Sequence, residues 1–219
     1  NRHEVRESIR GLSIWPAAGL LKPINELYLA GDFEDPLHLA RLVDIEELGG
    51  RSEFLEKSLR VEKLDFITYV RDWIPLALET NQLSSENRHG LIQVMAEYLG
   101  KLQGHEDLQE MLSELPLVWC GGAHFFPAEE VCFDSESIKD VLGPQVHIAF
   151  LPLERTEAVR AFYGWLGVAH EPRPDDIMAR IKDLTSSAPQ PSSLKAIEKI
   201  FAHLANQWNN WSDGIRQSF

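Results

Sequence analysis

Cysteine is nearly absent: Cys120 and Cys132 are the two thiols in 219 residues. So sparse a supply excludes a disulfide-stapled secreted scaffold and points to a reducing compartment, so the expected localisation is cytoplasmic. Long apolar runs are missing too. The longest, Ile74 to Leu78 and Ile148 to Leu153, fall far short of the roughly 18 to 20 residues that cross a bilayer. An apolar signal region is also lacking. The chain opens on Asn1 with the charged stretch NRHEVRESIR, which reads as part of a longer protein. Cations are scarce, with 21 Lys and Arg against 34 Asp and Glu for a net charge of −13. No basic stripe carries interleaved aromatics, so nucleic acid is not an expected partner.

Chemistry-bearing motifs are thin in the same way. There is no GxxxxGKS/T, GxGxxG or GxSxG, and the eight histidines include no HExxH and no pair spaced by four. The carboxylate pairs Glu46-Glu47, Glu129-Glu130 and Asp175-Asp176 are sequence neighbours, which point to different sides of a strand or about 100° apart on a helix, so none forms an acid/base dyad. Cys120, His124 and Cys132 surround one expected hairpin, and His147 on the next strand supplies a fourth donor. Structural zinc sites use tighter pairs such as CxxC, so small buried thiols are the reading adopted and no metal is assigned. No catalytic residue, cofactor or general base is nominated, and the chain is read as not an enzyme.

What is present is a globular composition, 44% apolar and 25% charged, together with an internal repeat. LLKPINELYL at 20–29 matches HFFPAEEVCF at 124–133 with an offset of 104 residues. Pro23 meets Pro127, Glu26 meets Glu130, Leu27 meets Val131 and Leu29 meets Phe133. At that offset Leu42-Val43-Asp44-Ile45 falls on Val146-His147-Ile148-Ala149, and FLEKSLRV at 54–61 resembles FYGWLGV at 162–168 with a slip. Each copy is expected to begin with a hairpin, Leu12 to Trp15 or Leu117 to Cys120, turned by Pro16 to Gly19 or Gly121 to Ala123. Pro23 and Pro127 should sit at a strand start or an open edge, because proline gives a ladder no donor. In the second copy a short helix capped by Asp134 or Ser135 and stopped by Gly143-Pro144 leads to a returning strand.

Helical spacing completes the pattern. Phe66, Val70, Trp73 and Ala77 form one apolar stripe, and Val159, Phe162, Tyr163 and Leu166 form another. Pro174 with Asp175 and Asp176 marks a helix start. Leu91, Met95, Tyr98 and Leu102 make a bridging helix, preceded by Ser84 and Ser85 and ended near Gly104. After the expected linker 186–193, Leu194, Ile197, Phe201, Leu204, Trp208 and Trp211 follow at helical spacing as an apolar seam. The expected fold is therefore α+β and helix-rich: two tandem copies of a small three-stranded β-sheet, each a hairpin plus a returning strand, packed by helices. Residues 1–82 form the first repeat, 83–115 the bridging helices, 116–185 the second repeat, and 186–219 the linker and C-terminal amphipathic helix. Trp208, Trp211 and Phe201 admit two readings, packing within this chain or contact with a partner.

The run Ile14-Trp15-Pro16 through Leu20 to Leu29, then Asp35-Pro36-Leu37 and FLEKSL at 54–59, resembles a recurring element of sacsin-like proteins. FFPAEEVCF and FYGWLGVAHEPRPDDI are similar to the corresponding stretch in large bacterial relatives. The resemblance implies a parent protein with a Bergerat-type ATPase domain of the heat-shock-chaperone class elsewhere in its chain. This sequence has neither the Asn-bearing helix motif nor the glycine-rich lid of that ATPase, so ATP belongs to a separate domain. What remains for these residues is a scaffold contacting other domains of the parent or client proteins, with no membrane. The rival expectations are a hydrolase or nuclease-like domain using carboxylates with His124 or His147, and self-association through the C-terminal helix.

Overall fold

A computed structural model describes residues 2–80, 82–153, 155–186 and 191–217. The chain divides into two compact units between Leu91 and Ile92. The first contains helix α1 (Arg2–Arg10) and a hairpin of β1 (Trp15–Ala17) and β2 (Leu20–Lys22). Ala18 and Gly19, with φ of 50° and 75°, make the two-residue turn whose left-handed backbone matches strand twist. Pro16 therefore lies in the strand rather than in the turn. A 3-10 turn, Ile24–Glu26, follows at once. Beyond it Tyr28 and Leu29 take single parallel bridges to Leu42 and Lys63. A π turn at Phe54–Ser58 precedes the long helix made of α2 (Phe66–Thr68), a second π turn (Tyr69–Trp73) and α3 (Ile74–Glu79). Asp65 caps its start, accepting from Thr68 N at 2.8 Å. The π turn falls just before Pro75, which has no N–H and crowds the preceding carbonyls, so the ladder widens there.

The unit boundary falls inside α4 (Ser85–Glu97), which Ser84 caps and which breaks at Tyr98 before α5 (Leu99–Leu102). The second unit continues with α6 (Glu106–Ser113) and a hairpin of β3 (Val118–Trp119) and β4 (Phe125–Phe126). A 3-10 turn, Ala128–Glu130, leads into β5 (Val131–Cys132). Helix α7 (Glu136–Leu142) is capped by Ser135, which accepts from Ile138 N at 3.1 Å, and ends on Gly143 at φ 80°. Strand β6 (His147–Ile148) then pairs parallel with β5. Helices α8 (Thr156–Leu166), α9 (Pro174–Ser186), α10 (Pro191–Gln207) and α11 (Asp213–Gln217) complete the unit, with a 3-10 turn at Trp208–Asn210.

The α+β, helix-rich character stands, but among the described residues the expected three-stranded sheets are not seen. The described strands pair two by two, as β1–β2, β3–β4 and β5–β6. The prolines explain this: Pro23 and Pro127 directly follow β2 and β4 instead of opening them, and each turns the chain into a 3-10 helix that ends the ladder. Among the described residues one backbone bond ties each returning segment to its hairpin, from Asp44 N to Pro16 O and from Phe150 N to Trp119 O, both 2.8 Å.

Matched bonds nevertheless recur through both units. Val43 N donates to Tyr28 O as Ala149 N does to Cys132 O, and Leu29 N donates to Glu62 O as Phe133 N does to Ala169 O, all at 2.9 Å. Val61 N reaches Leu55 O and Val168 N reaches Tyr163 O, both at 3.0 Å, across left-handed turns at Arg60 and Gly167. The second hairpin turn is one residue longer, so the offset starts at 103 between Trp15 and Val118 and becomes 104 at the prolines. It widens to 106 at Val43 and Ala149, which corrects the expected match of Leu42 to Val146 by two residues. The extra length is α7. The expected helical stripes are buried, including Phe66, Val70, Phe162 and Leu166 at 2% exposure or less.

The expected linker is shorter than 186–193. Ser186 ends α9 and Pro191 to Ser193 form the first turn of α10, where proline is tolerated; residues 187–190 lie outside the described set.

Candidate functional site

Helix α9 is fixed at its start. Arg173 donates to the carbonyls of Ala128, Val131 and Gly167 at 2.9, 3.2 and 3.1 Å, joining the 3-10 turn to the end of α8. Asp175 and Asp176 occupy the positive end of α9. Ile177 of α9 and Ile200 and Leu204 of α10 pack with Ile138, Val141 and Leu142 of α7 in one core. An ion pair between Lys199 and Asp140, 2.5 Å, spans α10 and α7. Both long helices therefore bury one side each.

Their other sides leave apolar surface open. Phe201 is 61% exposed and Trp208 38%, and with Met178, Ile181, Leu204 and Ala205 they line a groove of about 540 Å³. Trp211 parts company with them: it is half-buried against the core of α7, α9 and α10, its ring 6.5 Å from that of Trp208. The apolar seam thus splits into two stripes. Ile200, absent from the expected seam, is buried with Leu204, while Leu194, Phe201 and Trp208 face outward. The spacing Ile197, Ile200, Leu204 in the sequence carried that second stripe. Met178 and Ile181 were legible in the same way, three residues apart behind the Pro174 start.

A second cavity, of about 420 Å³, gathers Cys120, His124 and His147 with Phe126, Val146, Ile148 and Phe150. Cys132 is not among them; it is 1% exposed in the core. The His147 ring stacks on Phe126, 3.7 Å between centroids. Burial pushes the Cys120 thiol up to about 11, so it is protonated at neutral pH and is a poor nucleophile or metal ligand. Among the described residues no group of three or more His, Cys, Asp or Glu is placed to hold a metal ion.

His147 also borders a cavity of about 330 Å³ with Glu130, Asp176, Arg180 and Asp183. There Arg180 pairs with Asp183 at 2.8 Å and Arg173 lies 3.6 Å from Asp176. Each aspartate has a guanidinium one helical turn away.

No protein-family model, curated protein or solved structure matches the chain. The site is therefore read from its own geometry. Among the described residues no helix is long and apolar enough to cross a membrane. The surface whose chemistry is least explained by the fold itself is the groove of α9 and α10.

Proposed function

We propose that this chain is a non-catalytic protein-interaction region that engages a partner through the α9/α10 groove. The supporting observation is the exposure of Phe201 and Trp208 beside Met178 and Ile181, a contiguous apolar lining on a chain whose net charge is −13. We further infer that the two units are copies of one module, which the matched backbone bonds support. From the sacsin-like resemblance we infer a larger chaperone-type parent protein whose ATPase lies in another domain, and from the scarcity of cysteine a cytoplasmic setting. The first of these rests on the sequence pattern of Trp15 to Leu29 and its second copy.

A photo-reactive phenylalanine analogue in place of Phe201 tests the interaction. Protein adducts formed in cells at that position, and not from the same analogue at exposed Phe54 of the first unit, are the expected result. Equal or absent adducts at both positions would overturn it. The rival reading, a hydrolase or nuclease-like domain using His124 or His147, is open to a direct test. Calorimetric titration with zinc chloride decides it: saturable binding that His147→Ala abolishes would displace the interaction reading.

A further inference from the structure

The end of the second unit repeats the segment that precedes α6. Leu91, Ile92, Met95, Ala96 and Leu99 of α4 and α5 stand 109 residues before Ile200, Phe201, Leu204, Ala205 and Trp208. Both helices break at the same point: Tyr98 has φ −95°, and Gln207, 109 residues later, has φ −93°. Leu91, Met95, Ile200 and Leu204 are all buried. The neighbouring stripe differs. Ile92 and Ala96 are 2% and 6% exposed, whereas Phe201 is 61% exposed and Ala205 is open as well. A helix follows both breaks, but α11 is five residues long and leaves this stripe uncovered.

The start of the first unit repeats α6 in the same way. Val5, Ile9 and Ile14 stand 103 residues before Leu108, Leu112 and Leu117, the same offset as between Trp15 and Val118. Arg10 donates to the carbonyls of Leu59 and Arg60, and Gln109 to that of Trp165 at 2.6 Å. Each helix is thus tied beside the left-handed turn of its own unit. Leu108, Leu112 and Leu117 are at most 1% exposed. Val5 and Ile14, by contrast, are 58% and 51% exposed, while Ile9 packs on the first core.

The second unit therefore buries both sets of positions, and the three-residue connection Gln103 to His105 keeps α5 and α6 neighbours. The chain carries the same two faces once more, both open: one on α10, the other on α1 and at Ile14. Resting on the interaction reading above, we propose that the groove receives the first unit of a second copy of this chain. Val5 and Ile14 of one copy then lie against Phe201, Ala205 and Trp208 of the other. Such a contact joins unlike faces, head to tail, so each pair of copies keeps a free face at either end and association runs on beyond a dimer. Charge does not forbid it. Residues 1–22 carry four cations against two carboxylates and residues 174–219 carry five of each, so the acidic excess lies wholly on residues 23–173. At physiological salt, charges more than about 8 Å apart are largely screened.

The experiment is sedimentation of the 219-residue chain at physiological salt over rising concentration, with Phe201→Glu and Ile14→Glu, both at exposed positions, alongside. The unsubstituted chain should grow past a dimer, and each variant alone should associate at least tenfold more weakly. An equimolar mixture of the two variants should restore a species of two chains and no larger, because each retains the face that the other has lost. Circular dichroism checks that both variants keep their helices. Hydrogen exchange of the unsubstituted chain needs no variant: residues 3–14 and 198–211 should both slow as concentration rises.

A monomer at every concentration, variants that associate as the unsubstituted chain does, or a mixture no larger than its parts would overturn the proposal. Slowed exchange in only one of the two segments, as in a contact of like with like, would overturn it too. Photo-adducts to other proteins at Phe201 from a chain that stays monomeric would remove the self-association and leave the interaction reading standing. A monomeric chain without adducts would remove both.

Discussion

The two units share their backbone bonds but differ in what lies between the second and third matched segments. In the second unit that interval is helix α7, capped by Ser135 and closed by Gly143. In the first it is an irregular loop organised by one buried carboxylate, Asp35, which is 7% exposed and accepts from Leu37 N at 3.0 Å and Ala40 N at 2.7 Å. Phe33 of that loop packs on Phe66 and Tyr69, with ring centroids 5.4 and 4.9 Å away. One scaffold thus tolerates two solutions, a helix with an apolar face or a loop with an internal acceptor, since either satisfies the backbone polar groups there. The difference has a functional consequence within the second unit: α7 supplies the wall on which α9 and α10 pack, and so presents the groove.

The comparison is broken most forcefully in the cores. Leu55 and Phe162 are buried in the segments that lead to the left-handed turns at Arg60 and Gly167, 1% and 0% exposed. Phe162→Ala should cost about 3–5 kcal/mol and Leu55→Ala about 2–5 kcal/mol in urea unfolding. Peptide-resolved hydrogen exchange should assign each loss to its own unit. A Leu55→Ala cost below about 1 kcal/mol would mean that the first unit's core does not depend on this segment as the second's does.

Asp35→Ala comes next, at about 2–3 kcal/mol, since hydrogen bonds to a charged acceptor are worth roughly 1.5–3 kcal/mol and two donors would be stranded. Exchange should quicken over residues 33–41 and stay unchanged in α7. Alkali probes the same loop. The buried Tyr69 hydroxyl has no well-formed hydrogen bond among the described residues, and burial, then the nearby Asp35 carboxylate, push its pKa up. Burial, with a hydrogen bond to Asp72, raises Tyr28 to about 12, and burial also raises Tyr163. These phenols keep their protons longer in the folded chain, so their contribution is complete below the unfolded value of about 10 and is lost as pH rises from there through the folded values. Stability should hold between about pH 7 and 9 and fall above about 10, with a shallower fall in Tyr69→Phe, as followed by phenolate absorbance against unfolding.

The smallest effects sharpen the equivalence of the two turns. Arg60 has φ 55° where the second unit places Gly167 at φ 100°. Arg60→Gly should stabilise by about 0.5–1 kcal/mol, whereas Gly167→Ala should cost about 1–2 kcal/mol. Thermal melts of the two variants check the opposite signs.

Much of this was legible in the residues. The correspondence of the two prolines, the stripes Phe66 to Ala77 and Val159 to Leu166, a helix cap at Asp134 or Ser135 and the Pro174 start were read from spacing and local chemistry, and all of these are features that depend on near neighbours. The offset of the returning strand was not, because two extra residues in α7 shift the pairing without changing the apolar pattern on either side. The sheets were overestimated for a related reason. A β-prone run shows that a segment can extend, while a proline at its end decides whether the next segment joins its ladder.

The groove shows the same division. Sequence alone set the helical period of α10 and its supply of large apolar side chains, since both follow from residue type and 3.6-residue geometry. Which of those side chains would be buried was settled only when α7 and α9 packed against one flank. That contact takes up Ile200, Leu204 and part of Trp211 and turns Phe201 and Trp208 outward. A helix with apolar groups on more than one side has no internal reason to prefer either; the choice belongs to the neighbours that arrive from elsewhere in the chain.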